Sequence, residues 1–462
     1  MPHDQALARP SSSGEQTRNT LNRMDTNPSR LSTGRILLFW LPLAATWLMM
    51  SLEGPFVSAV IARLAEPKSN LAAYGVAFSL ALMVEAPIIM IMSASTALVR
   101  NQQSFLTMKR FVFWMNTLIT ALMVLMLIKP VFHLIAGRLI GLPPHLEDLT
   151  WTGCLVMLPW PAAIGYRRFY QGVLIRHDRT RFVAFGTVVR LLTMGSTALL
   201  LVLVTSLPGA VIGGIALAAG VVAEAVVSRM MASEVIRESL SSSDRHDNPL
   251  TMKKIWSFYY PLALTTVLAL GVRPLVTFFM GQSSMALDSL AVFPVVHALT
   301  FLFICLGLSF QEVVIALVGD SHDNYLPLRN FALILAVATS CGLGLITFTP
   351  LSDVWFMTVS GLSPELASFS NLPARLLTLI PALWVLLSFQ RGILVNKART
   401  GPITQGTVAQ VLTILLVLVL TIHVLEWVGI VSAALALLCG GVVSCAYLLP
   451  WFLRVRAVRS AP

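Results

Sequence analysis

The chain has 462 residues, 56% of them hydrophobic and only 11% charged, with a formal net charge of +11. Its mean hydropathy is +0.79, whereas an ordinary soluble domain carries about 25% charge. This composition excludes a soluble enzyme or a nucleic-acid-binding module and identifies a polytopic helical membrane protein.

Residues 1–35 are polar and rich in Ser, Arg and Asn. The apolar run behind them is too long for a cleavable signal peptide and lacks a small-residue cleavage site. They are expected to form a disordered cytoplasmic tail, with Met24 as an alternative start. Twelve apolar spans follow, at 36–62, 71–99, 111–136, 150–175, 183–205, 209–232, 254–281, 289–318, 329–349, 372–395, 403–426 and 429–453. Each is long enough to cross about 30 Å of hydrocarbon as a helix. Spans 11 and 12 are almost continuous, parted only by Glu426-Trp427-Val428-Gly429. Cys154, Cys305, Cys341, Cys439 and Cys445 all lie in apolar segments without metal-ligand or loop-disulfide spacing, so neither a metal site nor a disulfide is expected.

Of the 32 Lys and Arg, 20 fall in loops after even-numbered spans, with their helix ends, or in the C-terminal tail. Five lie in the N-terminal tail, and the loops after odd-numbered spans hold only Arg63, Lys68 and Arg138. This bias predicts a plasma (inner) membrane protein with both termini in the cytoplasm. The positive charge then reflects topology and contact with anionic lipid, not nucleic acid.

The chain is internally repeated. Trp40-Leu-Pro-Leu-Ala-Ala-Thr46 matches Tyr259-Tyr-Pro-Leu-Ala-Leu-Thr265 at an offset of 219, which also pairs Pro55 with Pro274 and Arg110 with Arg329. At an offset of 220, Pro161 matches Pro381, Gly172 matches Gly392, and Arg179-Thr180 matches Arg399-Thr400. Six spans per unit is an even number, so the copies are parallel, related by a pseudo-two-fold axis along the membrane normal. The predicted organisation is an N-lobe at 36–232, a cytoplasmic linker at 233–253, a C-lobe at 254–454 and a tail at 455–462. Two such lobes around a central cleft form a plan for alternating access. Pro55 and Pro274, deep in spans 1 and 7, are candidate hinges or static kinks.

Ionisable groups inside spans are costly and usually face a cavity or a partner. The first lobe offers Glu53 and Glu85, the second Arg273, His297 and Arg375. The cations are candidate ligands for an anionic substrate, since a guanidinium fork suits carboxylate or phosphate. The acids are candidates for coupling to H+ or Na+, or for a gate in which Glu53 pairs with Arg273. Arg375 has snorkelling to the outer surface as its alternative, and Lys129 beside Pro130 is expected to snorkel. Arg190 is expected to reach the cytoplasmic face, and Glu224 and Glu312 to lie near enough to water to need no role.

Leu71-Ala-Ala-Tyr-Gly-Val-Ala-Phe-Ser-Leu80 with Pro87, Trp256-Ser-Phe-Tyr-Tyr-Pro-Leu-Ala-Leu264, Arg273-Pro274, Pro294-Val-Val-His297, and Arg375 with Pro381 resemble the progressive ankylosis protein family. The resemblance covers most of residues 36–454. It implies the wider superfamily of multidrug-extrusion transporters and polysaccharide-lipid flippases, and export of a polyanion such as pyrophosphate, nucleotide or citrate. It also implies Arg273, His297 and Arg375 as anion ligands. Glu85 and Trp47-Leu-Met-Met-Ser-Leu-Glu53 depart from the family pattern. A cation-coupled drug antiporter and a lipid-linked saccharide flippase are the alternatives. No Gly-rich nucleotide loop and no acid/histidine cluster in the outer loops points to an enzyme. A monomer without cofactor is expected.

Overall fold

The computed structural model describes residues 31–61, 63–140, 142–238, 249–319 and 324–457. Most of the N-terminal tail, the middle of the inter-lobe linker and the last five residues lie outside them. The described residues are helical throughout, with no β-strand beyond one isolated bridge between Ser284 and Val428.

Eleven helices are long and apolar enough to cross a bilayer. The exception is span 4, expected as one helix over 150–175. It is two shorter helices, Pro144–Val156 and Trp160–Arg176. The cause is local: the Pro161 ring cannot sit beneath the carbonyl four residues earlier, that of Met157. Span 10 bends at the equivalent place, with a 3-10 turn at Leu377–Leu379 ahead of Pro381. Span 1 breaks at Leu52 into Thr33–Ser51 and Glu53–Ile61, because Pro55 crowds the carbonyl of Ser51. Span 7 instead runs unbroken through Pro274, from Met252 to Met280. The two predicted hinges are therefore not equivalent. Span 6 extends to Glu238, past the predicted edge of the first lobe. Spans 11 and 12 do part where expected, at Glu426, which takes a left-handed φ of 54°.

The backbone shows the repeat more plainly than the side chains do. Left-handed residues stand at Glu66 and Met285, and again at Asp178 and Ala398. These pairs keep the two offsets seen in the sequence. Just after Asp178 and Ala398, the amides of Arg179 and Arg399 donate to the carbonyls of Leu174 and Leu394 at 2.9 and 2.8 Å. The matched Arg-Thr pairs are thus the first residues after a shared helix-ending turn. π-helical turns follow spans 3 and 9, at His133–Leu139 and Val354–Val359.

The matched glycines have a steric reason. A Cβ on Gly172 would lie 2.6 Å from the carbonyl oxygen of Met92, and one on Gly392 would lie 2.7 Å from Val314 Cβ. Each glycine lets the fourth helix of its lobe approach the second at backbone distance. We expect Gly172→Ala to lower stability by about 1–3 kcal/mol through overpacking, read as a reduced thermal midpoint in detergent. Gly75→Ala, where a Cβ meets nothing within 4 Å, is the neutral comparison.

Twelve crossings put both ends of the chain on one side, the near side. There a single apolar core runs through both lobes, joining Trp40, Phe105, Phe111 and Phe169 to Tyr259, Phe310, Phe331 and Phe389. Toward the far side the core divides. Val57, Tyr74, Met123 and Trp160 belong to the first lobe. Val276, Phe293 and Ile422, with Val296, Leu343 and Phe356 beside them, belong to the second. The lobes are closed on each other at the near side and part toward the far side.

Two hydrogen bonds across the near-side seam obey the pseudo-symmetry. Trp40 Nε1 donates to the Leu306 carbonyl at 3.3 Å and to Ser309 Oγ at 2.8 Å. Tyr259, the repeat counterpart of Trp40, donates its hydroxyl to the Pro87 carbonyl at 2.6 Å. Pro87 and Leu306 are counterparts too.

Candidate functional site

Arg273 is exposed although it lies on the inward stripe of span 7. Thr266, Val276 and Met280, which share its face at helical spacing, are buried. Tyr260, Val267 and Phe278 mark the opposite, outward stripe. Arg273 is thus exposed on the inward stripe and not on the outward one. His297 of span 8 interacts electrostatically with Arg273. Its ring lies between those of Phe293 and Phe301, with centroids 5.9 Å away on each side. No carboxylate pairs with Arg273 among the described residues. Arg375 is engaged elsewhere. Its Nε donates to the Thr347 carbonyl at 3.2 Å, and its guanidinium lies 5.5 Å from the centre of the Phe348 ring, at the far-side end of span 9. These contacts tie Arg375 to the end of span 9. Lys129 reaches outward, to Asp148 at 2.8 Å and the Trp151 ring at 4.1 Å.

The predicted pairing of Glu53 with Arg273 is not formed. Glu53 accepts from Arg190 of span 5. Arg190 does not reach the near-side surface as expected; it is buried and continues the network to Glu224, with Nη1 3.6 Å from Oε2. Glu224 is wholly buried rather than near water. Its Oε2 accepts from Arg167 Nη1 at 2.5 Å, and its Oε1 accepts from Gln171 Nε2 and Thr187 Oγ1, each at 3.0 Å. A carboxylate with this many donors is compensated as a buried ion must be.

A second group stands beside the first. Arg168 is 7% exposed and interacts electrostatically with both Glu85 and Glu312. Glu85 is buried at the last residue of Pro67–Glu85, where Pro87 turns span 2 into a 3-10 segment. Its Oε2 has no hydrogen-bond partner. Glu312 is buried too, and accepts from Ser93 across the seam.

No protein-family model matches this chain, and no curated protein matches it. Solved structures do. A MOP superfamily transporter from Pyrococcus furiosus aligns with a TM-score of 0.74 at 14% identity, over 94% of this chain and 98% of that one. The Vibrio cholerae MATE transporter VcmN, as a single-substitution variant, aligns with a TM-score of 0.74 at 15% identity, over 93% and 98%. A multidrug resistance MATE transporter in an outward-facing conformation gives 0.72 at 15% identity, over 95% and 100%. The chain has the MATE transporter fold.

Within that MATE fold, sequence reasoning missed Arg167 and Arg168. They were counted with the near-side end of span 4, yet they are 2% and 7% exposed. One signal was available. Their repeat counterparts are Leu387 and Ser388, so two charges stand where the other lobe carries none. Pro55 and Pro274 are both exposed, Pro55 at the break in span 1 and Pro274 within an unbroken helix. Among the described residues no cluster of His, Cys, Asp or Glu could hold a metal ion.

Proposed function

We propose that this protein is a secondary transporter working by alternating access, and that it exports an organic or inorganic anion of the citrate, pyrophosphate or nucleotide class. The observation that carries this reading is Arg273, a guanidinium on an inward stripe without a carboxylate partner among the described residues, with His297 beside it. An unpaired cation at the bilayer's depth is costly unless water or an anion reaches it. The charge bias of the loops supports reading the near side as the cytoplasmic one, in a plasma membrane as expected from the sequence. The structure is then the outward-open state. One structural neighbour is described as having a binding pocket of reversed polarity that suggests a different function, so a change of pocket charge within this fold has a precedent.

Uptake into proteoliposomes tests the reading, with citrate, pyrophosphate and nucleotide compared against a cationic dye. Arg273→Ala removes charge-assisted hydrogen bonds to the substrate and should lower anion flux about tenfold to a hundredfold. Dye transport that survives this substitution, with no anion flux in the parent protein, favours a second reading, a cation-coupled multidrug antiporter. The observation behind that alternative is Glu85, whose Oε2 is buried without a partner.

A further inference from the structure

Seven charged side chains meet in the interior. The acids are Glu53, Glu85, Glu224 and Glu312, and the bases Arg167, Arg168 and Arg190, all buried. The set holds one carboxylate more than it holds guanidiniums. Glu53 and Glu224 are matched by Arg190 and Arg167 through direct contacts. Arg168 is left to serve Glu85 and Glu312 together. Arg391, on the same stretch of span 10, turns to Thr407 and to the Trp384 ring instead.

Glu312 is distinguished by its place. It accepts a hydrogen bond from Ser93, and the two are 219 residues apart, the repeat offset itself. Two counterparts of a pseudo-two-fold can touch only where they meet the axis, so this contact lies at the centre of the closed seam. Gln311 Nε2 reinforces it, donating to Ser93 Oγ at 3.3 Å. The second oxygen of Glu312 has no partner. A cavity of about 20 Å³ adjoins it, lined among others by Arg167, Arg168, Gln171 and Ser309. That is room for about one water. The groups facing Glu312 are the hydroxyls of Ser93 and Thr96 from span 2 and the Arg168 guanidinium from span 4.

We propose that Glu312 is the coupling site, and that its ligand is a proton. The carboxyl is protonated while the near-side seam is closed, which makes the buried set neutral. When the lobes part at the near side, Glu312 separates from Ser93, meets water and releases the proton there. The Arg168 guanidinium facing the carboxyl and the Arg167 side chain lining the adjoining cavity disfavour a metal cation such as Na+ there. Net entry requires that Glu312 take its proton from the far side while the near side is closed, by way of the adjoining cavity, which reaches Thr46, Trp47 and Met50 of span 1. In direction the proposal rests on the transporter reading above, since with an inside-negative potential proton entry and anion exit both run downhill.

The test reads conformation, so it stands apart from flux. Spin labels at Lys109→Cys and Asn330→Cys, exposed positions on spans 3 and 9, are placed in the full chain freed of its native cysteines and reconstituted in nanodiscs. Inter-label distances are measured from acid to alkaline pH without sodium. The closed population should grow as pH falls, by at most about tenfold per pH unit, the limit for one linked proton. Glu312→Gln, an isostere of the protonated acid, should hold the seam closed at every pH. Glu312→Asp should keep the pH response with a displaced midpoint. The proposal is overturned by a parent protein insensitive to pH, by a response that needs sodium, or by a normal response in Glu312→Gln. It is also overturned if Glu85→Gln abolishes the response and Glu312→Gln does not. A Glu312-dependent response in a protein that moves no solute would sink the transport reading and leave the proton site standing.

Discussion

Glu224→Ala is expected to cost about 3–5 kcal/mol, the penalty for breaking a buried ion pair by removing one partner. The carboxylate collects Arg167, Gln171, Thr187 and, at 3.6 Å, Arg190. Without it, two guanidiniums from spans 4 and 5 face each other in the interior with one carboxylate, Glu53, between them. Thermal unfolding in detergent should show the loss as a large fall in midpoint. Glu224→Gln keeps the volume and both amide-level contacts and should fall less. The double variant Arg167→Met with Glu224→Leu removes both charges of the Arg167–Glu224 pair and should recover much of the loss, because buried pairs replaced by apolar residues are often neutral in stability. If Glu224→Leu and Arg167→Met proved additive, with no recovery in the double variant, the pair would not be acting as a pair.

This network shows which properties a sequence exposes. Depth along the membrane normal is one of them, because each helical residue advances by about 1.5 Å. Glu53 and Arg273 stand about equally far along spans 1 and 7, which is why the sequence offers them as a gate. Azimuth and neighbour are not readable in this way. Span 1 packs against span 5 within its own lobe, and so Glu53 meets Arg190. The same limit hid Glu224 and Glu312, whose closeness to helix ends reads as closeness to water. The six-span repeat was legible for the opposite reason. Prolines and close-packed glycines such as Gly172 and Gly392 leave few substitutes, and both sit where the backbone itself is constrained. Even so, Pro55 breaks its helix while Pro274 does not. The proline states that one backbone bond is missing; the surrounding packing decides whether the helix bends there.

Asymmetry between the lobes is the second lesson. The near-side seam is built from matched positions, Trp40 with Tyr259, Pro87 with Leu306, Ser93 with Glu312. The ionisable groups inside the lobes are not matched. Arg167, Arg168 and Glu224 belong to the first lobe, while Arg273 and His297 belong to the second. A symmetric seam with unlike contents allows one shared motion to be biased from chemically different groups.

That shared motion can be biased at one residue. Trp40→Ala should shift the lobes toward the near-side-open state by roughly a hundredfold. Trp40 makes its contacts across the seam, to Leu306 and Ser309 and edge-on to Phe331 with ring centroids 5.7 Å apart. Those contacts exist only while the seam is closed, so their loss falls on one state. Truncating a buried tryptophan costs about 3–5 kcal/mol in a core. The lower end applies here, because lipid tails are as apolar as the side chains they replace and burial as such gains little in a bilayer. About 3 kcal/mol is a factor of about a hundred in the closed-to-open ratio. Inter-lobe distances in nanodiscs would report it, with Trp114→Ala, an exposed tryptophan on span 3, leaving the ratio unchanged. Tyr259→Phe, which removes the single hydrogen bond to Pro87, should shift the same ratio by about fivefold to tenfold. A Trp40→Ala protein with the parent's distance distribution would show that the seam is held by something other than the pair of aromatic contacts that the repeat placed there twice.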